Sequence, residues 1–418
     1  MTIAEGVSGQ LTYKAYSTGV ISSNSQPTSS SDPGASGAQI LRRVSSTLNL
    51  SKDTYQSNEI ISHRQITDFR HGIKRVQGAI AGELSGLTYE EFFEAACRGT
   101  WAAAVTATVT DFTSVAADNA TSKFTLAGGN PVTKGFRVGM VIQFTGLSDT
   151  DNNTKNFVIK SFGGSNNREI TVYPAPDSMT ADTTFTMAQV GRRLIVPSSS
   201  HVSRKFGIEH YRQDLDLHQF FTECRCGGFN VQLPATGMST VDFNFMGRDM
   251  ETASGGSSPF FTSPTAATTS GIMAAVNGLL LVQSTAVGVV TGLNMQMNLN
   301  PTSDAVVGQS YVPEIFLGRA NVTGQVTALF EDATMINYFK NETEVSILAY
   351  LTATSAVDSP AMTLFLPRVK FGGADVQMSG EGSQPITMPF QALLYNGTEA
   401  TTGIAATTFQ MCDTLVTT

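Results

Sequence analysis

Short runs in which apolar and polar residues alternate recur along this chain, and clusters of turn residues separate them. Leu293, Met295, Met297 and Leu299 are one such run, with polar residues between them. Successive side chains of a strand point to opposite faces of its sheet, so alternation of this kind predicts strands with one buried face. Helical periodicity is rare along the chain. We therefore expect a mainly β protein built from antiparallel sheet.

The clearest helical pattern covers residues 88–97. Thr88 and Glu91 have the spacing of a capping box, and Phe92 and Phe93 belong to an apolar stripe that would face a core. Gly99 is expected to end this helix. The sequence thus predicts one short helix that flanks the sheets.

A sequence repeat relates two parts of the chain at an offset of 246 residues. The pattern Gly72, Val76, Gly78, Ile80 recurs as Gly318, Val322, Gly324, Val326, and three downstream matches follow: Leu84 with Phe330, Thr88 with Thr334, and Phe92-Phe93 with Tyr338-Phe339. We interpret each copy as two strands, a long connection, a strand and a short helix. Two such copies could bury their faces against one another as a pseudo-symmetric sandwich, with the glycines in turns. Coincidence among common Val and Gly residues is the alternative.

A change in the pattern of strands and turn residues divides the chain into three parts. Residues 108–196 hold short strands between Asn, Asp and Gly clusters, which predicts a small inserted β domain between a first core part, 1–107, and a second, 197–418. Residues 22–37 lack periodicity and are expected to form a flexible arm, and residues 252–270 a surface loop.

Composition excludes several classes of function. The chain has 34 acidic and 26 basic residues, a formal charge of -8 and a pI near 5.2, which disfavours a protein that grips nucleic-acid phosphates. Residues 271–293 are nearly long enough to span a membrane, but Asn277 and Gln283 interrupt them, so a turn and a strand are expected instead. The four scattered cysteines and the lack of a leader pattern favour a reducing cytoplasm as the place of synthesis.

The sequence carries no strong catalytic or metal-binding motif. Cys224 and Cys226 would lie on one strand face, but two thiols without further ligands favour packed side chains over zinc. Asp214 with Asp216, and Glu90 with Glu91, are paired carboxylates that a strand face and a first helical turn explain without chemistry. We therefore expect no enzyme, no cofactor and no metal.

Charge concentrates in a long connection between residues 51 and 74, where both signs alternate. A loop of about twenty residues is unusual inside a compact domain, and an ordered one is usually functional. We expect contacts between subunits or between rings there, with a solvated surface loop as the alternative. The candidate contact residues are Glu59, His63, Arg64, Asp68, Arg70 and His71.

Residues 57–96 resemble the N-terminal signature of tail tube proteins from long-tailed, siphovirus-like bacteriophages. The similarity continues through residues 278–298 and 318–332 and the sequence Met388-Pro389-Phe390, and it covers most of the chain outside the inserted domain. The resemblance implies a β-sandwich or barrel subunit with a flanking helix. It also implies hexameric rings that stack into a tube through which the genome is ejected.

The resemblance further implies the partners and location of the protein. The partners would be other copies of the chain, tail proteins such as the tape measure and terminator, and double-stranded DNA that passes without specific binding. The location would be the virion tail, with assembly in the host cytoplasm, no membrane insertion, and the inserted domain outside the tube. A tail terminator or completion protein is one alternative. An exposed carbohydrate-binding or hydrolytic β protein is another, which the single tryptophan, Trp101, disfavours.

Overall fold

The structure is a computed structural model that describes residues 6–17, 32–60, 62, 65–274, 276, 278–283, 285–286, 290–376 and 382–417. Strands hold 48% of the chain and helices 9%. Antiparallel pairing joins almost all of these strands, which confirms the prediction of a mainly β fold consistent with a β-sandwich.

The elements of the first part of the chain are β1 (Gly9–Ala15), β2 (Gln39–Ile40), β3 (Ser45–Ser46), β4 (Asn49–Gln56), β5 (Phe69–Glu83) and α1 (Glu90–Cys97). Those of the middle part are β6 (Thr106–Thr108), β7 (Ser114–Asp118), β8 (Lys123–Ala127), α2 (Pro131–Lys134), β9 (Val141–Thr145), β10 (Phe157–Gly163), β11 (Glu169–Tyr173), β12 (Met179–Asp182) and β13 (Thr186–Gln189).

The remaining strands begin with β14 (Arg192–Ile195), β15 (Phe206–Arg212), β16 (Leu217–Pro234), β17 (Thr240–Gly247) and β18 (Asp249–Ser254). They continue with β19 (Leu279–Val282), β20 (Thr285–Ala286), β21 (Val290–Asn298), β22 (Thr302–Ser303), β23 (Ile315–Phe316), β24 (Asn321–Leu329), α3 (Thr334–Lys340), β25 (Val345–Thr352), β26 (Ala361–Phe371), β27 (Asp375–Val376), β28 (Pro385–Ala392), α4 (Glu399–Thr402) and β29 (Gln410–Asp413).

Two units of the same topology make up the chain outside the middle part. In unit 1 the order of paired strands is β1-β15-β16-β17-β5-β4, and β18 lies beside the first half of β16. In unit 2 it is β19-β25-β26-β28-β24-β21, and β29 lies beside the first half of β26. The helices α1 and α3 follow the equivalent strands β5 and β24. Each unit therefore holds seven equivalent strands and one helix, more than the two strands, connection, strand and helix expected from the sequence.

The two units lie edge to edge rather than face to face. The second half of β16 pairs with β21 from Gly228 opposite Asn298 to Pro234 opposite Gly292, so one sheet runs through both units. The expected packing of one copy's face on the other is therefore wrong. The backbone groups of these two edges satisfy each other in this arrangement, whereas packed faces would leave both edges unpaired.

Three of the four repeated glycines, Gly72, Gly78 and Gly324, lie inside strands and not in turns as expected, and Gly318 precedes β24. A Cβ atom on Gly324 would lie 2.3 Å from the carbonyl oxygen of Asn294, and one on Gly78 would lie 2.5 Å from that of Thr47. Gly78 also has a φ of +157°. Glycine is needed here because a neighbouring strand passes too close for any side chain.

Helix α1 fills the core of unit 1. Phe92 is 1% exposed and Phe93 2%, and the rings that surround Phe92 come from β1, β15 and β17. The expected capping box is absent, because the Thr88 hydroxyl pairs with Ser85 at 2.7 Å instead of the helix backbone. Arg98, with a φ of 52°, ends the helix one residue before the expected Gly99.

Strands β6 to β13 form a separate eight-stranded sheet with its own apolar core, which we call the middle module. It packs on unit 2 through an apolar cluster formed by Val138, Val141 and Val158 with Leu281, Leu348, Tyr350, Ala361 and Phe365. Hydrogen bonds to the carbonyl oxygens of Gly139 and Val138, both 2.7 Å, come from the Thr363 hydroxyl and the Gln410 amide. The residue limits 108–196 for an inserted domain stay a prediction.

The structure differs in how far it describes the arm, the surface loop and the turn and strand that the sequence predicted. Residues 18–31, most of the expected arm, lie outside the described residues, as does Asn277. The segment after β18 is largely exposed but anchored, because the Glu209 carboxylate accepts the backbone N–H groups of Phe260 and Phe261 at 2.6 and 3.1 Å. The described residues between 279 and 298 contain β19, β20 and β21, and β21 begins at Val290, within the expected strand. Among the described residues, every helix is too short or too polar to cross a bilayer.

Candidate functional site

The continuous sheet formed by β5, β17, the second half of β16, β21, β24 and β28 has one polar face, which we call the polar face. Cross-strand pairs such as Asp242 with Asn230, Asn230 with Gln296, and Gln296 with Thr323 place its side chains in rows. Eighteen positions in the central rows of this side are Gln77, Ala79, Ala81, Glu83, Asn230, Gln232, Thr240, Asp242, Asn244, Asn294, Gln296, Asn298, Thr323, Gln325, Thr327, Thr387, Pro389 and Gln391.

The opposite side of the same sheet is the main core. Phe243, Phe229, Met297 and Val326 alternate with the polar positions and are each at most 1% exposed. Since one side is buried and apolar, the amides and hydroxyls of the other side must remain in solvent or face a polar partner.

The polar face carries very little charge. Glu83 and Asp242 are the ionisable residues among these eighteen positions, none of which is Lys or Arg. Arg75 and Arg225 lie on the same side at one end of the sheet, where Asp53 and Glu314 pair with them. Burial raises the pKa of the Asp242 carboxyl, which favours its neutral form. The central rows of this face offer hydrogen bonds to water but no cations that could hold phosphate groups.

The polar sheet ends at two edges without a neighbouring strand in the part of the chain that the structure describes. One is the outer edge of β4, which pairs with β5 alone, and the other is that of β27, which pairs with β28 alone. The core-facing side chains at these edges, Leu50 on β4 and Ala374 and Val376 beside and within β27, are half-buried. Unpaired edges with half-buried apolar residues can pair with another chain.

Four of the six predicted contact residues, Glu59, Asp68, Arg70 and His71, lie at the end of the β4–β5 hairpin. Arg70 Nε donates to Asp68 Oδ2 at 2.8 Å, and both side chains are largely exposed, at 78% and 50%. The hydrogen bonds from Arg70 and from the Phe69 backbone lower the pKa of Asp68. His71 is exposed with its ring against Phe69, at 5.2 Å between centroids, and Glu59 is exposed. His63 and Arg64 lie outside the described residues.

The expected twenty-residue loop is shorter than the sequence suggested. Strands β4 and β5 continue to Gln56 and Phe69, so only residues 57–68 connect them. Alternating charges hid these strands because both of their faces are solvated there, which removes the apolar signal. Ile60 and Ile66, at 100% and 67% exposure, leave apolar surface at the end of the hairpin.

The equivalent connection of unit 2, residues 299–320, folds back on unit 1. Glu314 pairs with Lys205 at 2.9 Å and with Arg225 at 3.2 Å, and Lys205 is 1% exposed. Arg248 donates to the carbonyl oxygen of Val312 at 2.7 Å. No sequence pattern indicates this charged contact, because its residues lie far apart in the chain.

The paired aspartates and the two cysteines that the sequence singled out lie in surroundings that give them a structural role. Asp214 and Asp216 lie in the turn between β15 and β16 rather than on a strand face, and Tyr211 donates to Asp216 at 3.1 Å. Cys224 and Cys226 are buried, and burial raises the pKa of the Cys226 thiol to about 12. Among the described residues, no three His, Cys, Asp or Glu side chains are close enough to hold a metal ion.

A family model described as phage tail tube protein matches residues 6–392. None of the curated proteins compared with the chain matches it.

Proposed function

The chain belongs to the phage tail tube protein family, and from this premise we propose that copies of it form rings that stack into the tube of a siphovirus-like tail. It is a structural component of a virion tail, which family membership supports directly. The finer proposal is that this tube is the conduit for genome ejection.

The polar face is the observation that carries the proposal. DNA has one negative charge per about 1.7 Å of its axis, and a basic wall would bind it by counterion release. A wall whose central rows are mostly amides and hydroxyls, with two carboxylates and no cation, would neither bind the duplex nor strongly repel it. The polar face therefore has the chemistry of a channel lining.

The two faces of β25 in unit 2 support a position of the middle module on the outside of the tube. Along β25, Ile347, Ala349 and Leu351 face the main core, while Leu348 and Tyr350 face the middle module. The polar sheet lies on the other side of that core. If the polar face lines the bore, the middle module lies on the outer wall, where it cannot obstruct passage.

The β4–β5 hairpin is the proposed contact between successive rings. Its exposed Ile60 and Ile66 and the charges of Asp68 and Arg70 can meet a second ring, and the charges would set register more than affinity. Other partners of the tube, the tape measure and terminator, and its assembly in the host cytoplasm follow from the family resemblance. The number of chains per ring is six by that resemblance alone.

Negative-stain imaging of the purified protein tests the stacking of rings. Long tubes of constant width are expected. Isolated rings would favour a terminator or completion protein instead, and unassembled single chains would contradict the proposal.

A second experiment tests the channel lining. Asn244→Lys with Gln296→Lys should make assembled tubes retain duplex DNA at low salt, and this retention should fall steeply as salt rises. Thr180→Lys with Thr121→Lys, on exposed positions of the middle module, is the matched control. Equal retention of DNA by both variants would show that the polar face does not line the bore.

A further inference from the structure

We propose that neighbouring chains in a ring are joined by a copy of the β16–β21 junction, formed by β27 of one chain and β4 of the next, and that three chains close the ring. This inference rests on the proposed function and adds the partner, the register and the number of copies. Its basis is the strand-by-strand equivalence of the two units.

Strand β16 of unit 1 is equivalent to β26 and β27 of unit 2 taken together. Asn230 and Val231 lie opposite Asp242 and Val241 of β17, and Asp375 and Val376 lie opposite Thr387 and Ile386 of β28. Each pair of strands includes a Gly-Gly irregularity, Gly227-Gly228 in unit 1 and Gly372-Gly373 in unit 2. The two copies thus match at an offset of 145 residues.

This offset also explains the position of the middle module. Strands β5 and β24 match at an offset of 246 residues, and the strands after α1 and α3 match at 145 or close to it. The difference of 101 residues lies between α1 and β16 of unit 1, which is where the middle module is found. Both units are therefore complete without the middle module.

Strand β4 of unit 1 is equivalent to β21 of unit 2. Leu50 lies opposite Val76 of β5, and Met297 lies opposite Val322 of β24, which is the repeat position of Val76. By the same count Asn49 corresponds to Gln296. Each unit thus has one β4-type edge and one β16-type edge, and the chain uses only one edge of each type internally.

Burial differs between the edges that are paired within the chain and the equivalent edges that are not. At the internal junction Met297, Phe229 and Val231 are at most 1% exposed. Their equivalents at the unused edges, Leu50, Ala374 and Val376, are only half-buried against the same core. The core is therefore incomplete at both ends of the polar sheet. The incomplete positions are equivalent to those that the internal junction covers. A second copy of the chain supplies the missing edge at each end.

The internal junction fixes the register between chains. Gly228 opposite Asn298 becomes Gly373 opposite Ser51 of the next chain, and Asn230 opposite Gln296 becomes Asp375 opposite Asn49. A strand pair needs a defined register when one of its faces is buried, as it is here.

The number of chains follows from the width of the resulting barrel. Each chain contributes eight strands: β4, β5, β17, β16, β21, β24, β28 and β27. With strands about 4.8 Å apart and tilted by about 40°, three chains give a backbone diameter of about 48 Å, two about 32 Å and six about 95 Å. Side chains narrow each bore by about 10 Å, which leaves two chains with little room for a hydrated duplex and six with far more than one duplex needs. Three chains fit, and they provide six equivalent units. The ring of six that the resemblance implies is then made of six units from three chains and not of six chains.

Disulfide cross-linking tests the junction. In assembled tubes Asp375→Cys with Asn49→Cys should form bonds between chains on mild oxidation, because directly opposed residues have Cβ atoms close enough for a disulfide. Denaturing electrophoresis without reductant should show one, two and three linked chains and no larger species. The native cysteines are buried, so the unaltered chain is the background control.

Two further variants control the experiment. Asn230→Cys with Gln296→Cys, the equivalent pair inside one chain, should cross-link without any ladder. Asp375→Cys with Asp53→Cys, which places one thiol about 13 Å further along the strand, should give no ladder. Melting temperatures show whether each variant folds.

The outcomes separate the inference from the proposed function. A ladder that ends at six chains would overturn the count of three. Intact tubes without cross-links from the Asp375 and Asn49 variant would overturn the junction and leave the proposed function standing. The absence of any ring or tube in images of the unaltered protein would overturn both.

Discussion

The two long hairpins of the chain occupy equivalent places in their units but differ in what covers them. The connection of unit 2 is held against unit 1 by Glu314, whose partner Lys205 is almost completely buried. The hairpin of unit 1 projects into solvent, with Ile60 fully exposed. The helices differ in the opposite sense, since α1 of unit 1 has five buried residues and α3 of unit 2 has none. An isolated chain thus leaves one element of each unit uncovered, the hairpin of unit 1 and the helix of unit 2.

The helices offer the largest test of this difference. Phe93→Ala should cost about 3–5 kcal/mol of unfolding free energy, because the ring is fully enclosed. Phe339→Ala, at the equivalent α3 position, should cost only about 1 kcal/mol, since that side chain is 41% exposed. Chemical denaturation of the unassembled chain measures both values. Equal losses would show that the two helices are equally integrated into the core.

The hairpins offer the second test. Glu314→Ala should cost about 1–3 kcal/mol, because Lys205 and Arg225 lose their shared partner while buried or nearly so. Reversing the charges of Arg64 and Arg70 should change the unfolding free energy by less than about 0.5 kcal/mol, yet it should stop tube elongation. Denaturation and electron microscopy report the two effects. Normal tubes from the charge-reversed variant would remove the hairpin from the contact between rings.

A pH-dependent difference between the helices is the smallest expected effect. Burial, together with Glu91 and Asp413, raises the pKa of Glu90 to about 7. A carboxyl whose folded pKa is raised favours the folded state most below its unfolded pKa of about 4.5, and this stability is lost as the pH rises through 7.

Glu90→Gln should therefore raise the melting temperature more at pH 8 than at pH 5. In α3 the equivalent position is Ile336, which cannot ionise, so the effect is confined to unit 1. Glu342→Gln, at an exposed position just after α3, should leave the melting temperature unchanged at both pH values. The same increase at both pH values would mean that ionisation of Glu90 is not its cause.

Local sequence patterns determined the class of fold and part of the repeat. Alternation of apolar and polar residues predicted β structure, and the Gly72 to Ile80 pattern revealed the second copy because strands that approach closely need glycine at fixed places. The equivalence of β16 with β27 was missed, since the middle module changes the offset and only a few residues, such as the two Gly-Gly pairs, are shared.

The tertiary structure alone decided how the units meet. Pairing between β16 and β21 depends on which edges are free after each unit has folded, and no local pattern records that. The same holds for the contact of Glu314 with Lys205 and Arg225 and for the neutral polar face, whose members lie on six strands from Gln77 to Gln391. The sequence alone determined the strands and their buried sides, because these depend on neighbouring residues. The partners across each edge depend on the whole chain.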